Sequence, residues 1–316
     1  MQITPKEKGY IVMLIILGAV ATFYFRGLAL AQSTNAEAQA REAVFQRLNP
    51  FLHLELEAKA VYVYDLRDQT VLYARHATEI LPLASLTKIM TAVVALEHLS
   101  KDSLVSIDKE SLALEGSIGL KLGDVLDRDS MLTAMLVESS NDVAHALAKK
   151  VGTDSRKGSD PIDTFIGLMN QKAAELGLSK TQFYDESGLD ISTLKSGGYG
   201  SAQDLGSLLA YAYRTYPEIF EVTKQPTVSI VSKNNIWYPL ENTNTSIDRI
   251  PNLLVSKTGY TKLAGGNLSV IFEMDPGHPV MAVVLGSSMS GRFDDIVRVV
   301  ESSIRLANLT ANKNIL

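Results

Sequence analysis

The apolar and polar positions fall into three stretches of different character. The first is an unbroken apolar run. Lys6 and Lys8 precede YIVMLIILGAVATFYF (10–25), Arg26 follows, and Gly-Leu-Ala-Leu-Ala closes at Ala31. A basic start, an apolar stretch and an Ala-x-Ala ending make a secretory signal. The run also approaches the roughly 17–25 residues that cross a bilayer. Cleaved or kept as an anchor (1–31), it predicts that the rest of the chain lies outside the cytoplasm, in the cell envelope. Residues 32–57 are polar and rich in Ala, Glu and Gln, and predict a linker with some helical character.

From Lys59 the pattern becomes that of a folded domain. AVYVYDL (60–66) and TVLYA (70–74), with the polar turn Arg67-Asp68-Gln69 between them, predict a hairpin. Ser85 to Leu99 predicts an apolar helix that buries Ile89, Met90, Val93, Val94 and Leu96. Helical patterns recur over 129–137, 142–151, 160–177 and 202–216. After Pro226 the pattern turns to strands, over 227–231, 236–240, 252–258, 266–274 and 279–286, and a helix over 293–309 follows. Strands at the two ends of a chain usually meet in one sheet. The order therefore predicts an α+β fold, with the helical middle forming a subdomain beside the sheet.

Composition narrows the chemistry. The 316 residues include no cysteine, which excludes disulfides, thiolate metal sites and a cysteine nucleophile. A formal net charge of -5 offers no basic field for nucleic acid.

One short string then needs explaining. LASLTKIM (83–90) sets Ser85 and Lys88 three apart in an apolar run. Ser-x-x-Lys recurs at Ser106/Lys109 and Ser192/Lys195, but only Ser85 opens an apolar helix. There, positions i and i+3 share a face. The pair is either a helix cap with a snorkelling lysine or a nucleophile with its base. A lysine base must be neutral near pH 7, a drop of about 3 from its usual value, or ~4 kcal/mol. Partial burial, a helix N-terminus and a second cation all push that way.

Two further strings supply candidates. Ser139-x-Asn141 lies between two helical patterns, although Ser-x-Asn also begins at Ser33 and Ser232. Lys257-Thr258-Gly259 occurs once, at the end of a predicted strand. It offers the second cation, a hydroxyl and a glycine that lets a substrate lie close to the strand.

Ser-x-x-Lys, Ser-x-Asn and Lys-Thr-Gly in this order resemble the penicillin-binding proteins and serine β-lactamases. The flanks narrow the resemblance to the low-molecular-weight D-alanyl-D-alanine carboxypeptidases. They are GSIGLKLGDVLDRDSMLTAMLVESSNDVAHALA (116–148), FYDESGLD (183–190), Tyr-Gly-Ser-Ala (199–202) and KTGYTKLAGGNLSV (257–270). The likeness covers roughly 57–308. It implies a β-lactamase/DD-peptidase-like domain over 58–310, an antiparallel sheet flanked by helices. It implies hydrolysis of peptidoglycan stem peptides through an acyl-enzyme, without metal or cofactor, and acylation of Ser85 by β-lactam inhibitors. Residue by residue, Ser85 is then the nucleophile, Lys88 its proton acceptor, and Ser139 the proton relay to the leaving amine. Asn141 holds Lys88 and the substrate amide, and Lys257 and Thr258, followed by Gly259, bind the terminal carboxylate. The backbone N–H groups of Ser85 and Tyr260 form the oxyanion hole, where one such donor is worth ~3–4 kcal/mol of barrier. Two departures stand out. The residues after Gly259 suffice for the rest of the sheet and a last helix but not for the second all-β domain many relatives carry. A glycine also separates Tyr199 from Ser201, which bears on the cleft beside that loop.

Three rival readings remain at this level. A class A-like β-lactamase needs a glutamate for its deacylating water, usually in Glu-x-x-Leu-Asn, and Glu186-Ser-Gly-Leu-Asp190 comes close. A catalytically silent envelope-binding module could keep the same fold. A metal peptidase has less to stand on, because His53, His76, His98, His145 and His278 show no His-Glu-x-x-His spacing. His145, within a helix, reads as a core or surface residue.

Overall fold

The computed structural model describes residues 4–155 and 158–313. Its centre is a five-stranded antiparallel sheet built from both ends of the domain. Strands β1 (Ala60–Asp65) and β2 (Thr70–Arg75) form the expected hairpin. Strands β3 (Leu253–Thr261), β4 (Gly265–Glu273) and β5 (Pro279–Ser287) form a meander. The order is β3-β4-β5-β1-β2, closed by the β1–β5 pairing, in which Val61 faces Val284. Seven α-helices of ten residues or more carry labels here: α1 (Pro5–Leu48), α2 (Lys88–His98), α3 (Arg128–Val137), α4 (Asn141–Ser155), α5 (Pro161–Glu175), α6 (Ala202–Thr215) and α7 (Gly291–Lys313).

The sheet is covered on both faces, which explains why its strands read as apolar runs. Side chains alternate across the sheet. In β1, Ala60 and Tyr62 point into the core shared with the helical lobe, and Val61 and Val63 into a second core under α7. Ile296, Val297, Val299 and Val300 of α7 fill that second core. Phe51 joins it, stacked on Tyr73 at 4.9 Å between ring centroids. Helix α2 runs through the middle of the lobe, and every residue from Lys88 to Leu96 is buried. A helix wrapped on all sides needs no polar face, so its sequence is apolar throughout.

Two stretches differ from their pattern. Residues 32–57 do not form one linker: α1 continues without a break to Leu48, and the chain from Phe51 to Ala58 lies on the domain. The strands Thr227–Val231 and Trp237–Glu241 pair with each other and stay out of the main sheet. They pack on the helical lobe instead. Lys233 N donates to Val125 O at 2.8 Å, and the Tyr238 hydroxyl donates to buried Asp124.

Candidate active site

Ser85 sits on a tight turn held from three sides. Leu81–Pro82 pairs with Gly198–Gly200, and Leu83 N donates to Gly198 O at 2.9 Å. The chain then makes a 3-10 turn over Ala84–Thr87, and the α-helix begins at Lys88, later than the sequence predicted. Ala84 takes φ +49°, a left-handed conformation that disfavours a Cβ. Gly188, at φ +82°, packs on that turn: a Cβ there would lie 2.0 Å from Ala84 O. Gly259 has a similar use. A Cβ on it would lie 3.0 Å from Leu83 O and 3.1 Å from Ser85 N. Its small size therefore admits the Ser85 turn against β3, where the sequence had suggested it would admit substrate. Neither the turn nor α2 has a side-chain N-cap, so the capping alternative for Ser85 is excluded.

Lys88 reaches back from the helix start. Its Nζ lies 3.0 Å from Ser85 Oγ, 2.6 Å from Asn141 Oδ1 and 2.8 Å from Ser187 O. Two of these partners are carbonyl oxygens, which only accept. A neutral amine has two hydrogens and one lone pair. With both hydrogens given to the carbonyls, the lone pair faces the one partner that can donate, the Ser85 hydroxyl. Lys88 is fully buried, and its pKa falls to about 7. Burial is the cause. Asp185, Glu186 and Asp142 pull the other way, so the surroundings of Lys88 are more anionic than the sequence suggested. Asn141 opens α4 and is itself held by Glu115 O, which accepts from Nδ2 at 2.6 Å.

The second lysine enters from the sheet. Lys257 Nζ donates to Ser139 Oγ at 2.8 Å and to Thr258 O at 3.1 Å. Ser139 sits between α3 and α4 at φ +64°, a second strained residue beside the cleft. Burial, then Lys88, then Arg292 push the Lys257 pKa well below its usual value. The Thr258 hydroxyl bonds the Thr243 hydroxyl, and Thr243 N donates to Val137 O at 3.2 Å, which ties β3 to the end of α3. Gly259 O accepts from Arg292 Nη1 at 2.7 Å. Tyr260, next on the strand, is exposed, and the Arg292 guanidinium lies 6.0 Å from its ring. Ser85, Lys88, Ser139, Asn141, Lys257 and Thr258 are thus joined in one crevice, with Gly259 and Tyr260 along its edge.

The sequence missed Arg292, Thr243, Ser187 and Asp190. Asp190 accepts from Thr261 Oγ1 at 2.9 Å and fixes the turn after β3. Arg292 and Thr243 lie outside every motif, and Ser187 acts through its carbonyl, which leaves no signature in a side chain. The other Ser-x-x-Lys lysines stand apart; Lys195 Nζ, for one, lies over the Tyr184 ring at 4.2 Å. Glu186, the candidate lactamase glutamate, is buried with Oε1 2.7 Å from His145 Nδ1. His145 is therefore half of an interior pair. Donor atoms of Asp65, Asp68 and His278 also converge within 4.8 Å, at the end of the sheet away from Lys257. Both Asp65 oxygens are committed there, Oδ1 to the N–H groups of Arg67 and Asp68, and Oδ2 to His278 Nε2 at 2.6 Å. The cluster ties two turns together.

This arrangement can do acyl transfer: a hydroxyl beside a buried lysine whose pKa falls to about 7, with a second buried lysine close by. The comparisons with known proteins agree. A family model described as D-alanyl-D-alanine carboxypeptidase matches residues 45–289. A D-alanyl-D-alanine endopeptidase of Haemophilus influenzae is 34% identical over 218 residues, 68% of this chain and 70% of its own. A D-alanyl-D-alanine carboxypeptidase, DacF of Bacillus subtilis, is 32% identical over 65% of this chain and 51% of its own length. Among solved structures, penicillin-binding protein D2 of Listeria monocytogenes in its ampicillin-bound form superposes with a TM-score of 0.67 at 31% identity. That match covers 79% of this chain and 98% of the other. The crevice where the three motifs meet therefore lies in a member of the D-alanyl-D-alanine carboxypeptidase family, the S11 peptidases.

Proposed function

We propose that the crevice hydrolyses the terminal D-alanyl-D-alanine bond of peptidoglycan stem peptides, with the residues in the following roles. Ser85 Oγ attacks the carbonyl as Lys88 takes its proton. The tetrahedral oxyanion is met by the backbone N–H groups of Ser85 and Tyr260. Ser139 passes a proton to the departing D-alanine nitrogen. Lys257 and Thr258 hold the terminal carboxylate, and Asn141 keeps Lys88 in place and meets the substrate amide. Water then releases the acyl group. β-Lactams, which carry a strained amide and a carboxylate, acylate Ser85 by the same route. The observation that carries the reading is the Lys88 geometry: two carbonyl acceptors and one hydroxyl around a buried amine.

The helix Lys8–Gln32 is long and apolar enough to cross a membrane. We take it as the anchor that keeps the domain on the extracytoplasmic face. The lactamase reading loses its glutamate, because the Glu186 carboxylate is bound to His145 in the interior. Mass spectrometry of a purified pentapeptide after incubation tests the proposal. Loss of one D-alanine supports it, an intact pentapeptide sinks it, and cleavage of a cross-linked dimer instead moves the activity to that of the Haemophilus relative. Repeated fast turnover of nitrocefin would restore the lactamase.

A further inference from the structure

Behind Lys88, the segment Glu186–Ser187 bridges α2 and α4, by two hydrogen bonds to α2 and one to α4. On α2, Lys88 donates to Ser187 O and Thr91 to Glu186 O, three residues apart on one helix face. On α4, Asn141 shares Lys88 and His145 holds the Glu186 carboxylate, four residues apart on one face. The Glu186 side chain is 4% exposed, and nothing in the chemistry above uses it.

The geometry points to His145 and Glu186 as a positioning pair that sets how readily Lys88 gives up its proton, with the charge of His145 acting through Glu186. This rests on the reading of Lys88 as the general base. A buried carboxylate is poorly screened, and its field favours the ammonium form of a nearby lysine, the form that cannot act as base. Glu186 is among the carboxylates that hold the proton on Lys88, with Asp185 and Asp142. A protonated His145 cancels that field. The hydrogen bond to Glu186 raises the His145 pKa from its ordinary value, with the Glu186 charge and Asp108 adding to the rise and burial and Lys149 opposing it. Lys149 is itself tied to Asp108 at 2.6 Å and to Glu110. Asp185, the acid just before the segment, has its pKa raised by burial and by Glu186. Glu186 thus stands between an acid, a lysine and one imidazole. Of these, the imidazole sits where it neutralises Glu186 without touching Ser85.

Acylation by a fluorescent penicillin, followed from about pH 5 to about pH 9, tests the pair. The wild-type rate should rise as Lys88 loses its proton near pH 7. His145→Gln leaves the carboxylate uncompensated. The rising limb should then move up by about half to one pH unit, a loss of about two- to fivefold at pH 7 and of about three- to tenfold well below it, with the same rate at the high-pH plateau. The double variant His145→Gln/Glu186→Gln, which removes both charges and keeps an amide pair, should return the limb to the wild-type position or below it. An unmoved limb in His145→Gln, a loss equal at every pH, or a double variant that stays displaced would overturn the pair. Lys88→Ala separates the two readings. If it is acylated normally the base assignment itself falls; if it is silent while His145→Gln leaves the limb unmoved, only the pair does.

Discussion

The cleft has two walls, each presenting a buried lysine, and the two lysines live in opposite company. On the helical wall, Lys88 is surrounded by carbonyl oxygens and by the carboxylates of Asp185, Glu186 and Asp142. On the sheet wall, the charges that Lys257 feels among the described residues are those of Lys88 and Arg292. Burial lowers the proton affinity of both. Carboxylates moderate the effect at Lys88 and leave it close to neutral pH, where a base is useful. At Lys257 the other cations deepen it, so the sheet wall is short of one negative charge. In the proposed mechanism, the chain end of a substrate or the carboxylate of a β-lactam supplies it. On that proposal the same side chain would serve as base in one wall and as anion receptor in the other, with the neighbours deciding which.

The sharpest way to break this contrast is to remove the base. Lys88→Ala should lower acylation at neutral pH by about a thousandfold, read as the rate of fluorescent-penicillin labelling with the circular dichroism unchanged. Normal labelling would defeat the role given to the helical wall. The sheet wall should respond to the ligand rather than to the reaction. Lys257→Ala should cost about ten- to a hundredfold in acylation by a β-lactam that carries its carboxylate, the worth of one charge-assisted hydrogen bond. With the carboxylate converted to a primary amide, wild type and variant should nearly coincide. Equal losses for both ligands would mean that Lys257 is not an anion receptor. The smallest effect belongs to the scaffold. Asp127 caps α3, accepting from Ser130 N at 2.9 Å, and α3 leads to Ser139. Asp127→Ala should lower stability by about 1 kcal/mol in a denaturant melt and leave the pH dependence of acylation in place.

Most of the fold was legible because its elements obey local rules. The β1–β2 hairpin announced itself by two β-rich runs around a polar turn, and α7 was expected as a helix over 293–309. The three motifs were legible as side chains in order along the chain, and folding joins Ser85, Lys88, Ser139, Asn141, Lys257 and Thr258. What escaped was of another kind. The Ser187 carbonyl is backbone, identical in every residue. The 3-10 turn at Ala84–Thr87 follows from packing against Gly188 and Gly259, both far away in sequence. The hairpin Thr227–Glu241 reads as strands but carries nothing that says which strands it joins. Arg292 acts by reaching from the start of α7 to Gly259 O on β3, a contact that only the assembled sheet creates. His145 looked ordinary because a lone imidazole on a helix usually is; its partner lies 41 residues away.

Helix α1 runs unbroken past the stretch proposed to cross the membrane, from residue 33 to Leu48, and the chain is seated on the domain by Phe51 soon after. At 1.5 Å per residue those sixteen positions make a rod of about 24 Å. A tether of Gly and Ser would let the enzyme roam a sphere; a rod holds it at one altitude. The crevice would then sweep a thin layer of the wall parallel to the lipid surface, and stem peptides deeper in the mesh would lie beyond its reach.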